Sequence, residues 1–309
     1  MIGSWLVKEL LRQGAEVTAL VLQPDPQSEM YRSGDAKKAT LETGTVQDFP
    51  SLVRLLGDRG IDTVFHLGAQ TIVGTAREDP LPTLETNIRG TYNLLEACRK
   101  HSGQVRRIVL ASSDKAYGEQ KRLPYTEESP LQGRFPYDVS KSCADLIGQM
   151  YHHTYGLPVG ITRCANVYGG GDLNWSRIVP GTIRSFLRGE RPVIRSNGSY
   201  VRDYLYVKDA AGAYLRLAEA LKEPAAQGQA FNFSTGKPVS VLEIVSAIQR
   251  ALKCPDISPD IQNTVQGEIH SQNLSIEKAR RILKWEPAYD LDKGLSETVS
   301  WYREFLSHG

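Results

Sequence analysis

The chain is expected to be an α/β protein, a doubly wound parallel sheet with a smaller α/β domain interleaved with it, and three observations carry that expectation. Strand and helix signals alternate through residues 1–165, which is the pattern of a parallel sheet with crossover helices. From residue 166 the alternation fades and Gly, Pro and Arg become more frequent, which marks a second domain over 166–309. Residues 203–222 again read as a strand followed by a helix, so this part of the second half is expected to return to the first.

The elements follow in order. Residues 4–13 form an amphipathic helix stopped by Gly14, and this helix opens directly after Met1-Ile2-Gly3 with no strand before it. A doubly wound sheet normally begins with a strand and a glycine loop, so the sheet is expected to lack its first strand. Residues 16–22 read as a β-branched strand and 63–67 as a short apolar one. A long helix is expected over 83–99, a strand over 107–112, a helix over 137–155 and a strand over 159–164. No internal repeat or low-complexity linker interrupts them.

Composition narrows the class. A chain of 309 residues with 40% hydrophobic content can bury a large core, and a formal charge of +2 gives no basis for binding nucleic acid or a membrane surface. Cys98, Cys143, Cys164 and Cys254 lie far apart without metal-ligand spacing, so they read as buried small residues of a protein in a reducing cytoplasm. His66 and the His152-His153 pair have no partners at metal spacing and read as structural or surface groups, so no metal is expected. No apolar run approaches the roughly 20 residues of a spanning helix.

The chemistry concentrates at one strand end. Ser112-Ser113-Asp114-Lys115 closes the strand over 107–112, and Tyr137-Asp138-Val139-Ser140-Lys141 begins 22 residues after Lys115. Tyr137 and Lys141 are four apart, so on a helix they share a face. An ammonium beside a phenol, whose ordinary pKa is about 10, favours the phenolate and brings the group closer to general-base work.

With these motifs stand Val64-Phe65-His66-Leu67-Gly68-Ala69-Gln70, Asn87-Ile88-Arg89-Gly90-Thr91, Ser113-Asp114-Lys115-Ala116-Tyr117-Gly118, Arg163-Cys164-Ala165-Asn166-Val167-Tyr168-Gly169 and Val201-Arg202-Asp203-Tyr204. In order and spacing they resemble the extended short-chain dehydrogenase/reductase family, a Rossmann-type fold, and within it the NAD-dependent nucleotide-sugar epimerases and dehydratases. Asp114-Lys115 is similar to the dehydratase version of the motif, and with Gly169-Gly170-Gly171-Asp172-Leu173-Asn174 it most resembles CDP-glucose 4,6-dehydratases.

The resemblance implies a division of labour. Ser113, Asp114, Lys115, Tyr137 and Lys141 would be catalytic: Tyr137 takes the proton from the sugar O4 during transient oxidation at C4, with Ser113 sharing the hydrogen bond, and Asp114 protonates the departing C6 hydroxyl. Lys115 removes the C5 proton or, as a cation, stabilises the enolate. Hydride then returns to C6. Lys141 also holds the cofactor ribose.

For NAD the resemblance assigns Gly3, Thr45, Val46, Leu67, Gly68 and Ala69 together with Tyr137 and Lys141, the apolar members reading equally as core. Here the chain departs from its relatives, because Gly3 matches only the last glycine of their loop and Gln23 and Asp25 stand near the place of the ribose-binding acid, which leaves NAD and NADP both open. For the nucleotide sugar it assigns Asn166, Arg177, Arg202 and Glu268, Arg177 reading equally as a surface residue. The same resemblance implies a homodimer through the helices over 83–99 and 137–155. Two alternatives remain: a 4-epimerase or reductase on the same scaffold, and a truncated, non-catalytic nucleotide-binding protein.

Overall fold

The computed structural model describes residues 1–254, 257–264 and 269–307. In chain order the strands are β1 (Thr18–Val21), β2 (Thr40–Thr43), β3 (Thr63–His66), β4 (Arg107–Ala111), β5 (Val159–Cys164), β6 (Asn166–Tyr168), β7 (Val193–Ile194), β8 (Val201–Arg202), β9 (Tyr204–Tyr206), β10 (Ala230–Phe233), β11 (Val239–Ser240), β12 (Asp260–Ile261) and β13 (Ser271–Gln272). The helices are α1 (Ile2–Arg12), α2 (Glu29–Arg32), α3 (Phe49–Asp58), α4 (Val73–Glu78), α5 (Pro80–Leu84), α6 (Gly90–Lys100), α7 (Pro136–Tyr155), α8 (Ile178–Leu187), α9 (Val207–Ala220), α10 (Val241–Leu252) and α11 (Leu291–Ser307).

A four-stranded, all-parallel sheet in the order β10-β5-β4-β3 forms the centre. Both faces are covered, as the run Ile108-Val109-Leu110 in β4 requires: Val109 enters a core shared with α1 and α9, while Ile108 and Leu110 enter one shared with α3, α6 and α7. A third core, around Ile183, Ile244, Ile248 and Val299, holds α8, α10 and α11 together. Ser240 and Glu243 start α10 with a reciprocal capping box.

Among the described residues the remaining long strands form a second, separate sheet. β1 pairs in parallel with β2 alone, as a separate two-stranded sheet, and β3 pairs with β4 alone. Between β1 and β3 lies a cavity of about 1040 Å³, lined by Leu6 and Leu10 of α1, Leu20 of β1, Val64 of β3, and Leu56.

Three features differ from the sequence reading. The helix over 83–99 is divided into α5, a wide π-helical turn over Glu85–Arg89, and α6. Gly90 lies so close to Val46 that a Cβ there would meet its side chain at 2.4 Å, and the widened turn releases the Asn87 side chain to bond outside the helix. β2, α3 and β10 are further elements beyond the sequence reading; α3 carries Leu52 and Leu56 four apart on its buried face, whereas the Ala-Phe-Asn-Phe run of β10 is buried on both sides and shows no alternation. Cys98 and Cys164 are buried as expected, but Cys143, within α7, and Cys254, after α10 and packed against the third core, are half-buried; all four are free.

Candidate active site

The site is built where β4 ends. Ser113 caps a single 3-10 turn over Asp114–Tyr117: its Oγ accepts from the Lys115 backbone N–H at 3.2 Å and donates to Asp114 Oδ1 at 3.1 Å. This turn tucks Asp114 inside, 4% exposed, and burial raises its carboxyl pKa against the opposing pull of Lys115, the Ser113 hydrogen bond and Arg202. Gly118 closes the turn at φ +62°, and a Cβ there would lie 2.2 Å from the Gln132 carbonyl oxygen, so the position admits only glycine.

α7 delivers the second half. Pro136 fits its first turn and Gly156, in the left-handed region, ends it. Tyr137 sits in the first turn and hydrogen-bonds the Ser113 side chain. One turn on, Lys141 is buried and donates to the Ala111 carbonyl at 2.9 Å. The helix is also tied to the strand end by Ser112 Oγ donating to the Lys141 carbonyl at 3.4 Å and Ser142 Oγ donating to the Ala116 carbonyl at 2.8 Å. Ser113, Asp114 and Tyr137 are therefore brought together, with Lys115 following in the same turn.

The electrostatics differ from the sequence expectation at one pair. Lys141 was to favour the Tyr137 phenolate, yet the phenol is pushed up to about 12, burial being the main cause and Asp114 and Asp138 adding to it against the Ser113 hydrogen bond. Lys141 faces the Ala111 carbonyl, and burial lowers its amine to about 8. Its charge also helps burial depress His66, to about 3; His66 is an interior group whose Nε2 lies 3.1 Å from Thr91 Oγ1.

Among the residues assigned to substrate, Arg177 precedes α8 and pairs with Asp172 at 3.0 Å, with Thr71 Oγ1 at 3.4 Å, and its charge acts on Tyr137. Arg202 on β8 is buried and donates to the Ile269 carbonyl at 2.5 Å and the His270 carbonyl at 3.1 Å, and its charge acts on Asp114. Asn166 opens β6, its backbone N–H bonded to the Asp203 carbonyl. Glu268 lies outside the described residues.

Of the residues assigned to the cofactor, Gly3, Val46, Leu67 and Gly68 line the cavity between β1 and β3, together with Gln23 and Asp25. Thr45 and Ala69 adjoin Val46 and Gly68 in the chain and do not line it. Val46 also packs against Gly68 and Gly90, and Leu67 against the core below the sheet, so both have structural work besides.

Three residues near the site escaped the sequence reading. Gln272, wholly buried on β13, accepts from Lys115 Nζ at 3.0 Å and donates to the Asp114 carbonyl at 2.9 Å across 157 and 158 residues of chain, a separation no motif spans. Asp138 is buried with its carboxyl pushed up to about 6 by burial and Asp114, against Lys115 and Arg77. Asn87, inside the π-helical turn, accepts from the Gln70 N–H at 2.8 Å and donates to the Gln70 carbonyl and to Ser140 Oγ, both at 2.9 Å, which anchors the loop after β3 to α7. Its signal was visible, since Asn87 stands in a recurrent segment.

Among the described residues no group of His, Cys, Asp or Glu could hold a metal ion, and no helix is long and apolar enough to cross a membrane.

Comparison with known proteins places the chain in a family. Residues 1–298 match the family model described as GDP-mannose 4,6 dehydratase. CDP-glucose 4,6-dehydratase of Salmonella typhimurium is 30% identical over 98% of this chain and 88% of its own length. UDP-glucose 4-epimerase of Mycolicibacterium smegmatis is 31% identical over 98% of this chain and 95% of its own. The crystal structure of dTDP-glucose 4,6-dehydratase from Bacillus anthracis in complex with NAD superposes with a TM-score of 0.86 at 26% identity, covering 98% of this chain and 94% of that one. The chain thus belongs to the GDP-mannose 4,6-dehydratase family, among the NAD-dependent nucleotide-sugar epimerases and dehydratases of the extended short-chain dehydrogenase/reductases.

Proposed function

We propose that the protein is an NDP-glucose 4,6-dehydratase, with CDP-glucose as its substrate and NAD as its cofactor, producing a 4-keto-6-deoxy sugar nucleotide. The observation that carries this reading is the buried Asp114 carboxyl, raised in pKa and bonded to the Ser113 hydroxyl that also meets Tyr137. A carboxyl whose proton burial holds more tightly is suited to donate it to a leaving hydroxyl, a step that epimerisation does not need. Overall similarity does not discriminate, because a dehydratase and an epimerase match this chain at 30% and 31% identity. The Asp114-Lys115 pair is what favours the dehydratase, and its likeness to the CDP-glucose enzymes favours cytidine.

The residues fit NAD in outline. α1 begins at the cavity, Gly3 leaves open space where a Cβ would stand, Val46, Leu67 and Gly68 line the wall, and Tyr137 and Lys141 lie at the adjoining strand end. Bound NAD supplies a reversible hydride acceptor. The chain's own groups do the rest. Tyr137 takes the O4 proton with Ser113 sharing the hydrogen bond; because its phenol stands at about 12, its deprotonation needs a cation nearby, and Lys141 one turn away and Arg177 are the available ones. Asp114 protonates the departing C6 hydroxyl, and Lys115 acts at C5 as a base or as a charge stabiliser. Arg202, Arg177 and Asn166, with Glu268, hold the nucleotide diphosphate and ribose.

Tyr92, Leu146, Met150 and Tyr155 are large apolar residues exposed on α6 and α7, which supports a homodimer through those helices. The free cysteines favour a cytoplasmic location.

The test is incubation of the purified protein and NAD with CDP-, UDP-, dTDP- and GDP-glucose in separate reactions, followed by alkaline absorbance of the keto sugar. Ketone formation from CDP-glucose alone is expected. An epimerised sugar without ketone would establish the epimerase alternative, and NAD binding without turnover of any sugar would leave only a nucleotide-binding protein.

A further inference from the structure

Gln272 joins the far domain to the two residues on which the proposed elimination depends. It is 1% exposed, and both ends of its amide are used: Oε1 accepts from Lys115 Nζ at 3.0 Å and Nε2 donates to the Asp114 carbonyl at 2.9 Å. Only this orientation of the amide satisfies both partners, since a flip would face its NH2 to an ammonium and its oxygen to a carbonyl. Its backbone is held as firmly. Gln272 pairs with Arg202 in the parallel β13–β8 ladder, and the following residues are fixed by the Tyr125 N–H donating to the Asn273 carbonyl at 2.8 Å and the Leu274 N–H donating to Asp203 Oδ2 at 2.7 Å.

We infer that Gln272 is a positioning residue: it holds the Lys115 amine against the Asp114 turn through an uncharged acceptor, and so fixes where that amine sits without adding a counter-charge to it. The inference rests on the proposed dehydratase reading for its consequence, not for its geometry. A carboxylate at this place would orient the amine equally well but would bind it as ammonium, and an opposite charge in direct contact moves a pKa by about 1–3 units. The amide gives orientation with a smaller bias, leaving the amine's charge to its other neighbours. Among the described residues, the charged groups around it include Asp114 beside it and Asp138 at the start of α7, with Arg77 acting on Asp138 and Arg202 acting on Asp114.

The test reads Lys115 itself. Lys115 is only half-buried, so reductive methylation with isotope-labelled formaldehyde can reach it, and its methyl resonance, assigned by its loss in Lys115→Arg, can be followed through a pH titration. In Gln272→Glu the midpoint should rise by about one unit or more; in Gln272→Met it should shift and the resonance should broaden or move as the amine loses its anchor. A Lys115 titration within about 0.2 units of the wild type in both folded variants would overturn the inference. If either variant fails to fold, the wild-type protein decides: a nuclear Overhauser contact between the Lys115 methyl groups and the Gln272 side-chain amide is required, and its absence refutes the assignment. None of these readouts needs turnover, so failure of the dehydratase reading would appear separately, as absence of ketone from wild-type protein whose Lys115 titration still responds to residue 272.

Discussion

Around the ends of β4 and β5 the polar groups are tied across elements. Arg163 of β5 grips Asp145 of α7 through two bonds of 2.8 and 2.9 Å and donates to the Tyr117 hydroxyl at 2.9 Å, while that hydroxyl donates to Asn232 of β10 at 2.7 Å. Beyond β3 the same sheet stops. There β1 and β2 stand apart across a cavity of about 1040 Å³, and the two parts are joined by α1 against α9 and α3 against α6. The difference teaches that the residues proposed for acid–base work are cross-tied between elements, whereas the wall proposed for the cofactor borders the interruption between the two sheets.

The largest effect that would sharpen this contrast is chemical. Asp114→Asn keeps the turn's size and hydrogen bonding but in the proposed reaction cannot donate a proton to the departing hydroxyl, so formation of the 4-keto-6-deoxy product should fall by about 10²–10⁴-fold. Reduced nicotinamide should accumulate in a single turnover of the variant, since C4 oxidation needs Tyr137 and not Asp114. Full product formation would break the assignment.

Next comes the fastening network. Arg163→Met leaves Asp145 buried without its guanidinium, and the loss should be about 3–5 kcal/mol in urea unfolding. A loss under about 1 kcal/mol would mean that the strand-end region is no better tied than the cofactor side.

A pH measurement addresses the same region. Asp138 has a folded pKa of about 6 against an ordinary value of 3.8, so its contribution to stability is complete below about 3.8 and is lost as pH rises through 6. The loss is on the order of 3 kcal/mol over that window, and Asp138→Asn should flatten it. Comparing urea midpoints of the two proteins at several pH values between these limits checks the sign; an unchanged slope in the variant removes Asp138 as its source.

The smallest effect concerns the sheet itself. Backbone amides of β1 and β3 border the cavity and should exchange with solvent at least about tenfold faster than those of β4 and β5. Equal protection across all four strands would erase the contrast.

Much of the site was legible in the sequence because its chemistry is local. Ser113, Asp114 and Lys115 share one turn, and Tyr137 and Lys141 share one helical face, so spacing alone places each group near its neighbours. The central strands were legible because Ile108-Val109-Leu110 and Val159-Gly160-Ile161 are apolar runs too short for helices. Gln272 was not legible, since its role depends on a contact across 157 residues. The direction of the Tyr137 shift was not legible either: a Tyr-x-x-x-Lys spacing specifies proximity, whereas burial and the turn of Lys141 toward Ala111 are consequences of packing.

The sequence by itself therefore determined the alternating α/β order, the reactive groups and the family they belong to, because periodicity and short-range spacing are properties of the chain. Tertiary structure alone decided which way the affinity of Asp114, Tyr137 and Lys141 for a proton shifts and what holds these groups in place, because desolvation and long-range hydrogen bonds come into being only when distant segments close around the same point.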